Sequence, residues 1–194
     1  MMTDPARTGG QMTTDVSWQQ ELSSQQRDDV AMFIHNEAAL LDERRLEEWL
    51  ELFAPDGLLW IPTRKDADPT RHVSIIYDDV PRLRTRVTRL LSGKEYAQDP
   101  PSASMRQVSN LVCQLEADGL VRADAVMVIY ETRRIAAPLL ILPCRASYRL
   151  RPVDPADELE RPASAASAAP FRIVEKRLDL LETHRHFESL AFLL

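Results

Sequence analysis

Residues 37–62 read EAALLDERRLEEWLELFAPDGLLWIP. A charged helical run, the turn residues Pro55-Asp56-Gly57 and an apolar patch ending in Trp60-Ile61-Pro62 follow one another without a gap. Just upstream, Val30, Phe33, Ile34, Ala38 and Leu41 fall at i, i+3, i+4, i+8 and i+11. That spacing predicts a helix with one apolar face. Leu46, Trp49, Leu50 and Phe53 repeat the pattern on a second, short helix, with a bend around residues 42–45. Pro55-Asp56-Gly57 is turn chemistry, predicted to end that helix and lead into a strand over 58–61.

Working outward, residues 62–71 read as a polar loop and 72–77 as a brief strand or turn. Asp78 or Asp79 is the expected N-cap of a third helix, with Pro81 in its first turn. Val80, Leu83, Val87 and Leu90 form its apolar stripe, Arg82, Arg84, Arg86 and Arg89 mostly cover the rest, and Gly93 is the expected stop. After Pro100-Pro101 the period changes. Strands are predicted over 104–116, Val121–Thr132, 139–150, 171–183 and 188–194. Asp118-Gly119 makes the first hairpin turn, and the alternation over Val121–Thr132 is less clean than elsewhere. Pro143 suggests a bulge or an edge in its strand, and 152–170 reads as an exposed Pro-, Ala- and Ser-rich loop. Helices first and antiparallel strands after is an α+β pattern, with N-terminal helices packed on a curved, mainly antiparallel sheet to form a cone.

The 194 residues suit a single domain over 17–194, behind a polar tail over 1–16 expected to be disordered. Apolar residues make up 44% and charged residues 28%, the balance of a globular chain. A formal net charge of −6 argues against a nucleic-acid partner, which calls for a basic face. No apolar run approaches the roughly 20 residues that cross a bilayer, so a membrane partner is not expected. The start of the chain lacks a basic stretch followed by an apolar one. The compartment is read as cytoplasmic, with Cys113 and Cys144 reduced and buried in strands.

Chemistry-bearing residues are sparse. Glu182, His184 and His186 alternate along a strand and share a face, making them the one ligand-like cluster. Three side chains on one flat strand converge poorly on one ion, however, and a solvent-facing strand end is the better reading. Asp42, Glu43, Glu47, Glu48 and Glu51 sit among Arg44 and Arg45 at ion-pair spacings, as on a wet helix face. Glu37 lies beside the apolar stripe, where burial would raise its pKa. There is no G-x-S-x-G, no cysteine with a sequence-near histidine and, with five glycines, no phosphate-cradling loop. Neither a catalytic nor a metal-binding nor a cofactor-binding residue is assigned.

Four segments in order resemble the small (beta) subunit of aromatic-ring-hydroxylating, Rieske non-haem iron dioxygenases. They are the opening stretch, SIIYDDVPRLRTRVTRLLSGKEYAQDPPS (74–102), RQVSNL (106–111) and the ending LAFLL (190–194). Thr88 and Tyr96 stand where that family often has tryptophan. The resemblance implies a nuclear-transport-factor-2-like (cystatin-like) cone and a mixed hexamer of three alpha and three beta subunits. It implies that the alpha subunit holds the Rieske [2Fe-2S] cluster and the mononuclear Fe(II), and that this chain holds neither. It further implies a complex that converts an aromatic compound to a cis-dihydrodiol with O2, with NADH-derived electrons delivered by a reductase and sometimes a ferredoxin. On this reading the chain is a structural, non-catalytic subunit of an enzyme.

The competing reading is a free-standing cone-fold dehydratase or isomerase with acid–base residues in its cavity. It would have to use Tyr77 with Asp78 or Asp79, or Glu37 with His35, pairs whose spacing turns them apart on a strand or a helix. Trp60, Arg64, Tyr77, Asp78 and Arg82 gather around the first strand and the start of the central helix. As Trp, Tyr and Arg are favoured at interfaces, these five are the predicted partner contacts.

Overall fold

A computed structural model describes residues 22–92, 102–132, 138–153 and 169–182. The elements are α1 (Ser24–Asp42), α2 (Leu46–Glu51), β1 (Phe53–Pro62), β2 (Ser74–Asp79), α3 (Val80–Leu91), β3 (Ala103–Leu115), β4 (Val121–Thr132), β5 (Leu140–Pro152) and β6 (Phe171–Leu180). The tail over 1–16, Gly93, most of the 152–170 loop and the 188–194 strand lie outside the described residues.

Ser23 starts α1 with a capping box. Its Oγ accepts from the Gln26 N–H at 3.1 Å, and Gln26 Oε1 accepts from the Ser23 N–H at 2.9 Å. The predicted stripe is the buried one: Val30, Phe33, Ile34, Ala38 and Leu41 all face inward. The bend falls at Arg44, whose φ of 57° is left-handed. Past it, Arg45 donates two hydrogen bonds to the Glu48 carboxylate, at 2.8 and 2.6 Å.

The opening stretch then departs from its reading. The helix ends at Glu51, and Phe53 is the first residue of β1 instead of the last of the helical stripe. Pro55-Asp56-Gly57 does not precede the strand but lies within it. β1 runs parallel to β6, pairing Phe53 with Ile173 and then Leu58 with Glu175, so the turn residues form a bulge where the register slips. The partner strand that makes the segment a strand is more than a hundred residues away.

Gly57 explains the choice of residue at the bulge. A Cβ there would lie 2.7 Å from the Ile173 carbonyl oxygen and 2.8 Å from that of Ala54, both backbone atoms. Gly57→Ala is therefore expected to cost about 1–3 kcal/mol by forcing β1 away from β6. A urea midpoint equal to that of the parent chain would show that the bulge yields freely. Arg151 on β5 braces the bulge, donating to both Asp56 oxygens at 3.0 and 2.9 Å. That hydrogen bonding holds the Asp56 carboxyl below its ordinary value. The tie is thus present above about pH 4 and is lost as pH falls through the depressed value.

The six strands lie in the order β2-β1-β6-β5-β4-β3, antiparallel except at β1–β6. α1 packs against β3, α3 against β1 and β2, and α2 against both helices. Trp49, Leu59, Ile61, Leu83, Met127, Ile129, Leu142 and Leu150 fill the space between helices and sheet. This is the expected α+β cone. β4 alternates more cleanly than predicted: Val121, Ala123, Ala125, Met127 and Ile129 are buried, and the apolar Val126 and Val128 between them are only half-buried on the outer face.

Pro143 makes no bulge, for β5 pairs with β4 in continuous register from Leu140 to Leu150. Its carbonyl accepts from the Leu181 N–H at 3.0 Å, so its missing donor would point to the β6 side, where β6 has ended. Asp79, not Asp78, caps α3 by accepting from the Arg82 N–H at 3.0 Å. Gly119 takes a φ of 82° in the β3–β4 turn, a conformation glycine adopts without penalty. No described helix is long and apolar enough to cross a membrane.

Candidate functional site

Four elements bring polar side chains together inside the cone. Glu37 of α1 sits one residue before Ala38 of the stripe and is drawn fully inside. Its Oε1 accepts from Trp49 Nε1 of α2 at 2.6 Å and from Lys176 Nζ of β6 at 2.5 Å. Its Oε2 accepts from the Tyr148 hydroxyl of β5 at 3.3 Å. Lys176 Nζ also lies 5.6 Å from the centre of the Tyr148 ring. Burial pushes the Lys176 ammonium down, and the Glu37 carboxylate pulls it the other way. Burial, and then the Glu37 charge, pushes the Tyr148 phenol well up. Next to this set, Arg106 of β3 donates to Asp42 at 2.6 Å through its side chain and at 2.8 Å through its backbone N–H.

A carboxylate, an amine and a phenol in hydrogen-bond reach can exchange protons. Access decides whether they could do so with a substrate. Relative exposure is 0% for Glu37 and Trp49 and 1% for Tyr148 and Lys176, so as folded the set joins four elements and is closed to solvent. The acid–base pairs of the competing reading do not form. His35 is exposed, while Glu37 is engaged elsewhere. Asp78 is paired with Arg86 at 2.6 Å, Asp79 is the α3 cap, and the exposed Tyr77 ring packs edge-on to Trp60.

Sequence reasoning singled out Glu37 but missed Lys176 and Tyr148. The alternation along β5 and β6 would have placed both on the inner face, but nothing local marks them as partners of a glutamate 139 and 111 residues away. Glu182 is exposed, and His184 and His186 lie outside the described residues. Among the described residues, no three of His, Cys, Asp and Glu gather as metal ligands.

The five predicted contact residues converge in part. Trp60 and Tyr77 are paired across β1 and β2, their rings 6.0 Å apart at 88°. Trp60 Nε1 donates to Ser74 Oγ at 2.9 Å, and the Arg177 guanidinium lies 4.3 Å from the Trp60 ring centre. Arg177 is held there by Asp179 at 2.7 Å and by the Lys65 carbonyl. Arg82 Nη1 donates to the Tyr77 carbonyl at 3.2 Å, and Arg64 pairs with Asp66 at 3.0 Å in the next loop. Trp60 is 7% exposed and Asp78 9%, whereas Tyr77 is 41% exposed. The first two therefore support the face, and Tyr77, Arg82 and Arg64 present it. Beside Arg177 is a cleft of about 340 Å³, lined by Lys65, Arg122, Arg149, Glu175 and Asp179 among others.

The two cysteines are free but not alike. Cys144 is buried, and burial pushes its thiol up to about 11. Cys113 is only half-buried, contrary to the sequence reading, because its face of edge strand β3 is incompletely covered. Brief treatment of the native chain with iodoacetamide at pH 8 is expected to alkylate Cys113 and spare Cys144, with both modified in urea. Equal native labelling of the two, read by peptide mass, would contradict the burial of Cys144.

Comparison with known proteins adds three findings. The family described as "Ring hydroxylating beta subunit" matches residues 36–162, more than half of the chain. The small subunit of 2-halobenzoate 1,2-dioxygenase from Burkholderia cepacia is 40% identical over 89 residues, which cover 43% of this chain and 54% of that protein. The small oxygenase component of the p-cumate 2,3-dioxygenase system from Pseudomonas putida is 29% identical over 165 residues, covering 82% and 83%. The chain spans little more than half the length of the first curated relatives it matches, 59% for the toluate 1,2-dioxygenase beta subunit of Pseudomonas putida. Among solved structures, naphthalene 1,2-dioxygenase with bound indole superposes with a TM-score of 0.71 at 14% identity, over 89% of this chain and 88% of that one. The benzoate 1,2-dioxygenase beta subunit of Burkholderia mallei gives 0.59 at 19%, over 79% and 89%. At these identities the structures share the fold.

Proposed function

This chain belongs to the ring hydroxylating beta subunit family, and from that premise we propose that it is the small, structural subunit of a multicomponent aromatic-ring-hydroxylating dioxygenase. In that complex a larger alpha subunit carries the Rieske cluster and the mononuclear iron. O2 and NADH-derived electrons, passed on by a reductase or ferredoxin, convert an aromatic compound to a cis-dihydrodiol. The chain's part is to hold alpha subunits together, with other copies of itself, in an alpha3beta3 assembly. The observation that carries this reading is the family match over 36–162.

The site agrees with a structural part. The strongest proton-exchanging set, Glu37 with Lys176 and Tyr148, is sealed, and its chemistry is spent on joining α1, α2, β5 and β6. Tyr77, Arg82 and Arg64, backed by Trp60 and by the Asp78–Arg86 pair, form the face assigned to a partner subunit. Purified alone, the chain is expected to hold no iron and to turn over no aromatic compound. Iron found in the isolated chain and lost on replacing His184 and His186 with Ala would overturn that assignment.

A further inference from the structure

We propose that the cleft of about 340 Å³ on the outer face of the sheet binds a small organic acid bearing a hydroxyl or an amine, its carboxylate taken by arginine and lysine donors and its second group by Glu175. Strand register builds the floor. Glu175 of β6 pairs with Arg149 of β5, and Arg149 with Arg122 of β4. One row on, Arg177 pairs with Ser147 and Ser147 with Asp124. Ala123, Tyr148 and Lys176 lie between the rows and are buried toward the helices, so the row residues share the opposite face. Lys65, from the loop between β1 and β2, completes the lining.

The three guanidinium groups are held alike. Arg122 donates through Nε and Nη2 to Asp124, at 2.9 and 3.4 Å. Arg149 donates through Nε to Glu116 at 2.8 Å and through Nη2 to Asp118 at 2.6 Å. Arg177 uses the same two nitrogens on Asp179, at 3.0 and 2.7 Å, and Nη2 also meets the Lys65 carbonyl. In each, Nη1 makes no hydrogen bond among the described residues. A fork fixed along one edge keeps donors on the other, so little ordering remains when an oxyanion binds. The exposed Lys65 ammonium likewise has no carboxylate partner among the described residues. Lys65, Arg122, Arg149 and Arg177 outnumber Glu175 and Asp179 in the lining, on a chain of net charge −6. Asp179 is engaged by Arg177, but the half-buried Glu175 carboxylate has neither an ion pair nor a hydrogen bond among the described residues. A bare anion would face it as a like charge. A hydroxyl or amine on the same molecule gives it a donor instead. The volume lies at the small end of ligand sites, roughly 300–1,000 Å³.

This site is independent of the subunit reading and stands whether or not a larger subunit is recovered. Titration calorimetry of the full-length chain with L-malate, L-aspartate and succinate tests it, since these acids share a four-carbon skeleton and differ at one position. Malate or aspartate is expected to bind about tenfold tighter than succinate, and the better of the two identifies the group that meets Glu175. Lys65→Gln and Arg122→Gln should each weaken that acid by about tenfold or more, whereas Arg84→Gln, on α3, leaves it unchanged. Glu175→Ala should abolish the preference over succinate. None of these positions is buried, and unchanged circular dichroism would confirm folding. Failure of both substituted acids to bind, succinate or inorganic phosphate bound as tightly as either, binding untouched by both cation variants, or a preference that survives Glu175→Ala would each overturn the site.

Discussion

Lys176→Met is expected to destabilise the chain by about 3–5 kcal/mol, the usual penalty for removing one member of a buried ion pair. The substitution keeps the length and apolar stem of the side chain, so packing against the Tyr148 ring survives. What it removes is the cation 2.5 Å from Glu37 Oε1. The carboxylate then stays at 0% exposure with only the Trp49 N–H and the Tyr148 hydroxyl as donors. Adding Glu37→Gln should recover more than half of the loss, since a neutral amide needs no counter-charge and its oxygen still accepts from Trp49. Replacing Glu37 by Leu instead would strand both donors, at about 1–3 kcal/mol each. The readout is the urea midpoint at constant slope. A single variant as stable as the parent would mean that the pair does not form.

Trp49→Ala should be comparably damaging, about 3–5 kcal/mol. Trp49 is fully buried, packs edge-on against Phe53 at 5.0 Å and 73°, and donates to Glu37 at 2.6 Å. Trp49→Phe divides these contributions. The ring contact remains while Glu37 loses one donor, so an intermediate loss of about 1–3 kcal/mol is expected. Equal losses for Phe and Ala would assign the whole effect to the hydrogen bond, and a neutral Phe variant would assign none to it.

These two positions also mark how far the sequence could be read. Trp49 was legible because its helix repeats an apolar spacing, and burial follows from that repeat. Glu37 was legible only as a charged residue beside a stripe. Its three partners come from α2, β5 and β6, and the pairing of those elements leaves no trace in any short window. Pro55-Asp56-Gly57 misled for a related reason. Locally it is a turn, but a parallel neighbour 120 residues on makes it the bulge of a long strand. Pro143 was legible in part: it makes no bulge, but it lies at a local edge, where a missing N–H does no harm because the neighbouring strand has stopped. The α3 stripe was legible, and its cap was narrowed to Asp78 or Asp79, because capping and helical spacing are local. Of the face proposed for a partner, the residue types at Trp60, Tyr77 and Arg82 could be seen, whereas Arg177, which stacks on Trp60, could not.

The surface and the interior divide the work in this account. Buried charges fix how the helices sit on the sheet, and the exposed Tyr77, Arg82 and Arg64 are the contacts proposed for a partner subunit. The decisive measurement is recovery of the tagged full-length chain from the organism that encodes it. The expected result is a stable complex with a larger oxygenase subunit, recognised by the absorption of its Rieske cluster, which hydroxylates an aromatic ring while the small chain alone is inactive. Recovery of the chain without such a partner, active by itself on a substrate, would contradict the account.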